Sequence, residues 1–193
     1  IFKQNIEDLA LPLSVYRNLG EDGGRLAMAY GQPLHLYASA DTLTEWKDGG
    51  LVFEGKNHSL TEPALGGITM DYSLILRAPG ATGLRELLQS GSPEFLLKSG
   101  RVTLEDKTVL SLAFKYLYEE AKRSGIGDPD AQNPEALRAE AARKCREEAD
   151  EAANPDKKAI LHGAAQLLER PGALTIELNP DEPMPLAIFE ATD

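Results

Sequence analysis

Reactive side chains are few in this sequence and stand far apart. The three histidines, His35, His58 and His162, have no second His or Cys at the close spacing by which a turn or helix presents zinc ligands. His35 falls on the opposite face from Leu34 and Leu36 in an alternating run, which places it at the surface or rim. Cys145 is the single cysteine. A nucleophilic role would need a base brought to it in space, and its position in the apolar stripe of a charged helix reads as a packed thiol. A G-x-S-x-G elbow, a complete G-x-x-x-x-G-K-[ST] phosphate loop and a G-x-G-x-x-G turn are all missing from the sequence. Gly20-Glu21-Asp22-Gly23-Gly24 is acidic, the wrong sign for cradling phosphate, and reads as a turn.

Oxygen ligands offer the nearest approach to a metal site. Asp128-Pro129-Asp130, with Gln132, Asn133 and Glu135, supplies the several oxygens that calcium wants from one loop. It lacks both the glycine of the sharp turn and the bidentate glutamate at the EF-hand spacing, so it reads as a solvated helix–helix connection. Carboxylate pairs abound among 31 Asp and Glu residues, yet none is singled out as a catalytic pair. Asn57-His58-Ser59 matches a glycosylation sequon and carries little weight. No catalytic, cofactor-binding or metal-ligating residue is assigned, and no cofactor is expected.

The elements around these residues are more legible. From 1 to about 105 the chain reads as strands and turns. Ile68, Met70, Tyr72, Leu74 and Leu76 alternate with Thr69, Asp71, Ser73 and Ile75, a period of two that predicts a half-buried strand with the first set inward. On that reading Leu74→Asp is costly and Thr69→Asp mild. Leu26, Met28 and Tyr30, then Leu34, Leu36 and Ala38, suggest a hairpin about Gly31-Gln32-Pro33. Leu51–Glu54 and Arg101–Glu105 are shorter strands. Short helices are expected over Asp41–Lys47 and Gly83–Gln89.

The segment 106–170 reads as a helical lobe. Helix 106–124 carries Val109, Leu110, Leu112, Ala113, Phe114, Tyr116 and Leu117 around most of its circumference, which predicts deep burial. Asn133-Pro134 and Asn154-Pro155 each pair an N-cap with a first-turn proline and open helices 134–153 and 155–169. The first has a thin stripe of Leu137, Ala141, Cys145 and Ala149. Over 173–189 the chain returns to strand through Leu174, Ile176 and Leu178, with Pro180, Pro183 and Pro185 interrupting pairing beyond.

Strands in a run followed by helices in a run predict one α+β domain. Its sheet is mainly antiparallel, three longer helices pack on one face, and the final strand rejoins the sheet. A length of 193 residues and 42% hydrophobic content suffice for a core without disulfides. A net charge of −11 repels phosphate backbones, so nucleic acid is not an expected partner. No apolar run reaches the roughly 18 residues of a membrane span. The chain opens Ile1-Phe2-Lys3, so removal of something upstream is expected.

Two stretches carry a family signal. Val102-Thr103-Leu104-Glu105-Asp106-Lys107 precedes a helix. Pro134-Glu135-Ala136-Leu137-Arg138-Ala139 is followed by Pro171-Gly172-Ala173-Leu174-Thr175-Ile176 and the tail Met184-Pro185-Leu186. Over roughly the last ninety residues the chain resembles uncharacterised cell-envelope proteins of Gram-negative bacteria. The resemblance implies an exported or membrane-tethered domain, and it implies no activity. Three functions stay open: a non-enzymatic envelope domain binding a protein partner or an apolar ligand, an enzyme with dispersed catalytic residues, and a structural piece of a larger chain. The ligand reading expects a gap lined by Leu112, Phe114, Tyr116, Leu161 and Leu168.

Overall fold

A computed structural model of the chain describes residues 2–16, 30–47, 49–91, 93–124 and 133–186. The elements run β1 (Phe2–Leu11), α1 (Leu13–Tyr16), β2 (Leu34–Lys47), β3 (Gly50–Glu62), β4 (Gly66–Arg77), α2 (Leu84–Gln89) and β5 (Glu94–Asp106). There follow α3 (Val109–Ser124), α4 (Pro134–Glu151), α5 (Pro155–Glu169), β6 (Gly172–Leu178) and β7 (Met184–Pro185). The fold is α+β. The strands form one antiparallel sheet in the order β1-β2-β3-β4-β5-β6, and β7 pairs with β5. The returning strand rejoins the sheet as expected, through pairs such as Val102↔Ile176 and Leu104↔Leu174.

Cross-strand register gives the sheet two unlike faces. One row runs Ile6, Ala38, Leu60, Ile68, Leu104 and Leu174, each residue opposite the next on the neighbouring strand. On the other face stand polar pairs: Ser39 with Ser59 at 2.8 Å, Thr103 with Thr175 at 3.0 Å, and Arg101 with Glu177 at 2.8 Å. The register carries three bulges, each of which inserts a residue that takes no partner. Asp8 in β1 and Asn57 in β3 mark two of them, both with φ 54°, and the third is at Lys98 in β5. The helices sit on the apolar face. A Cβ at Gly163 of α5 would lie 2.5 Å from Leu174 Cδ1, so helix and strand touch there.

At the far end of the sheet the buried face changes sides. Val52, Ile75 and Leu96 lie in one row and are 0%, 3% and 1% exposed. By parity they stand opposite the Ile68 face. The expected inward set is therefore corrected: Met70 is 38% exposed, and Ile75, assigned outward, is core. The strands of 12 to 14 residues are the cause, because β4 is too long for one helical layer to cover along its whole length. Leu87 of α2, in the connection from β4 to β5, is buried as well.

Other expectations fare unequally. Helix 83–89 is α2. The expected helix over Asp41–Lys47 is instead the second half of β2, paired from Asp41↔Lys56 to Lys47↔Gly50. Thr42, Leu43, Thr44 and Trp46 suit a pleated surface, and pairing on both sides overrides a local helical reading. Leu26 and Met28 of the suggested hairpin lie outside the described residues, and β2 pairs with β1 and β3. Strand β1 had no counterpart in the sequence reading. Helices α4 and α5 begin where the Asn-Pro pairs predict: Asn133 Oδ1 accepts the Ala136 N–H at 2.8 Å, and Asn154 Oδ1 accepts that of Asp156 at 2.8 Å. The deep burial expected of helix 106–124 is overturned. Asp106 belongs to β5, and no residue of α3 is buried. Among the described residues no helix is long and apolar enough to cross a membrane.

Candidate apolar binding groove

The gap beside α3 explains that incomplete burial. An apolar groove of about 350 Å³ has its floor on the sheet and its wall on the helices. Leu36, Leu60, Ile68 and Leu104 supply the floor from four successive strands, and Val109 and Leu110 of α3 with Leu167 of α5 supply the wall. Three strand spacings of about 4.8 Å make the floor roughly 14 Å long. The groove is thus elongated and aliphatic. Leu60 and Leu104 remain substantially exposed, although each sits where a core residue would.

Two buried carboxylates hold its end in shape. Glu62 closes β3 and accepts the backbone N–H groups of Ala64 at 2.6 Å and Leu65 at 2.7 Å, and the Tyr30 hydroxyl at 3.0 Å. That fixes the turn into β4, where Gly66 adopts φ 120° and approaches the Glu105 carbonyl so closely that any Cβ would collide with it. The Leu65 carbonyl then accepts the N–H groups of Lys107, Thr108 and Val109, satisfying donors that the start of α3 leaves open. Asp106 accepts the Leu110 N–H at 2.9 Å and pairs with Arg138 of α4 at 3.3 Å. The same guanidinium donates to Ser111 Oγ and to the Leu167 and Leu168 carbonyls. One arginine therefore ties sheet, α3, α4 and the C-terminal turn of α5 together at the groove's wall.

This lining is not the one expected. Of Leu112, Phe114, Tyr116, Leu161 and Leu168, none lines the groove, and Leu112 faces a separate cavity of about 640 Å³ with Tyr30, Lys115, Tyr118 and Glu119. Leu60 was missed because the bulge at Asn57 breaks the alternation that would have announced it. Leu36 and Leu104 lay within recognised strands but had no assigned wall. A second apolar cleft of about 400 Å³ lies between Ile160 of α5 and Leu174, Ile176 and Leu178 of β6.

The polar candidates disperse. His35, exposed as expected, pairs with Asp8 at 2.5 Å. His58 Nε2 lies 3.2 Å from the Thr42 hydroxyl, with the Tyr72 ring edge-on at 5.1 Å. A hydroxyl beside an imidazole is two members of a nucleophile–base relay, which also needs a group orienting the far ring nitrogen. His162 is half-buried in α5, and Cys145 is a half-buried free thiol in α4. Asp128 and Asp130 lie outside the described residues. Among the described residues no group of three His, Cys, Asp or Glu could hold a metal ion. Lys47 is held above its ordinary range by hydrogen bonds to Glu45 and Glu54, and Glu54 below its own by the bond from Lys47.

No curated protein and no solved structure matches the chain. A family model described as "Uncharacterized protein" matches residues 62–193, from the groove's Glu62 through the helices and β6, and the chain belongs to that family.

Proposed function

We propose that this chain is a non-enzymatic binding domain of the bacterial cell envelope that takes one acyl chain, or a similarly elongated apolar molecule, into the groove between sheet and helices. The observation that carries the reading is the aliphatic floor of Leu36, Leu60, Ile68 and Leu104, roofed, among the described residues, only on the helical side. A volume of about 350 Å³ falls within the roughly 300–1,000 Å³ usual for small-molecule sites. Its narrow length suits a flexible chain better than a broad rigid ring system. The envelope setting rests on the resemblance noted in the sequence, and fractionation of the producing cells tests it separately.

Native mass spectrometry of protein purified from its own host should reveal a co-purifying apolar mass that organic extraction removes. A fluorescent fatty acid should then fill the vacancy and raise the melting temperature, since a ligand specific for the native state stabilises it. Ile68→Trp, which fills the floor, should weaken probe binding about tenfold or more, a loss of roughly 1.4 kcal/mol. Protein that arrives bare and takes up no probe sinks the proposal. So does uptake that Ile68→Trp leaves unchanged.

A further inference from the structure

Strand β1 ends the sheet and, among the described residues, pairs only with β2. Among the described residues its outer edge has no strand partner along ten residues, and all but the last residue are exposed. Natural edges are commonly blunted by proline or by inward charges. Here no proline interrupts 2–11, and the single irregularity is the bulge at Asp8. Phe2, Ile6 and Leu9 are exposed and extend the apolar face of the sheet out to this edge. The geometry points to β1 as a strand-addition site. We infer that it accepts an extended peptide of alternating apolar and basic residues as the next antiparallel or parallel strand.

Charge decides the occupant. On the polar face Lys3 is already paired with Asp41 at 3.4 Å, and Asp8 with His35. Among the described residues Glu7 meets only the neutral amide of Asn5, at 2.8 Å. The uncompensated charge of the edge is therefore negative, and a basic residue on an incoming strand completes it. A second copy fits less well. It would set Glu7 against a Lys3 that is already engaged, and bring −11 against −11. Apolar side chains of the added strand would continue the row of Phe2, Ile6 and Leu9.

The test uses a capped eight-residue peptide of alternating Lys and Val, a block peptide of the same composition, and an alternating Glu and Val peptide. Fluorescence polarisation gives affinities, and hydrogen–deuterium exchange locates the contact. The alternating basic peptide should bind at least tenfold more tightly than the block peptide and slow exchange over 2–11. Glu7→Lys, an exposed change that leaves the melting temperature in place, should weaken it at least fivefold and favour the acidic peptide. Equal binding of the block peptide would reduce the effect to general attraction by an acidic surface and overturn the inference. Protection arising away from β1, or a dimer with β1 protected in the absence of peptide, overturns it too. None of these outcomes depends on whether the groove holds an acyl chain.

Discussion

Lys47 and Glu54 meet at 2.9 Å across the β2–β3 hairpin, with Glu45 bonding to the same ammonium. The bond from Lys47 is the main reason Glu54 titrates below the ordinary carboxylate range, and burial opposes it. Since the folded value lies beneath the unfolded one, Glu54 stabilises the fold above the unfolded pKa of about 4.3. That contribution is lost as pH falls through the folded value. Lys47→Met should therefore raise the Glu54 midpoint in a carboxyl NMR titration and move the acid-unfolding transition to higher pH. An unmoved Glu54 midpoint would show that Lys47 is not the cause. Nothing in the linear sequence announces this pair, because the second half of β2 reads locally as a helix. Residue-level contacts across strands depend on register, and three bulges shift that register along the sheet. His35 was legible because its surface position follows from alternation alone.

At the scale of elements, β4 carries both the success and the error of the sequence reading. Its existence follows from the alternation over Ile68–Leu76, and the strand runs a residue or two further at each end, from Gly66 to Arg77. Its inward face does not follow, since alternation gives two faces and only the covering layers choose between them. Ile75 sits in the row with Val52 and Leu96, so Ile75→Ala should cost about 2–4 kcal/mol in urea denaturation. Met70→Ala should cost less, about 1 kcal/mol, because more than a third of its surface is in water already. Equal losses for the two would return β4 to the face expected from the pattern. Helices α4 and α5 were legible to within a residue or two because their Asn caps and first-turn prolines are local signals. The apolar circumference of helix α3 predicts cover on all sides, whereas part of it borders the open groove.

In the whole molecule, the helical layer and the sheet are joined by apolar contact and by one buried polar clasp. Arg138 is 13% exposed and Asp106 only 3%, and the arginine adds bonds to Ser111 and to the Leu167 and Leu168 carbonyls. Desolvating both charges is costly, so the pair as a whole adds little net stability. Breaking one side is different, because it strands a charge in a dry site. Arg138→Met keeps the length and apolar stem of the side chain while leaving Asp106 Oδ2 and two carbonyls of α5 without the arginine's N–H groups, with only the Leu110 N–H still donating to the carboxylate. The expected loss is about 3–5 kcal/mol. Asp106→Asn strands the guanidinium less completely, since three other acceptors remain, and should cost less. The double variant should lose clearly less than the sum of the two single losses, the signature of a coupled pair in a double-mutant cycle. The groove gives a second readout. If Arg138 holds its wall, hydrogen exchange in Arg138→Met should accelerate first at the C-terminal turn of α5 and the start of α3, while the row of Val52, Ile75 and Leu96 keeps its protection. Additive losses, or exchange that rises uniformly through the sheet, would mean that apolar contact such as Gly163 on Leu174 joins the layers without the clasp.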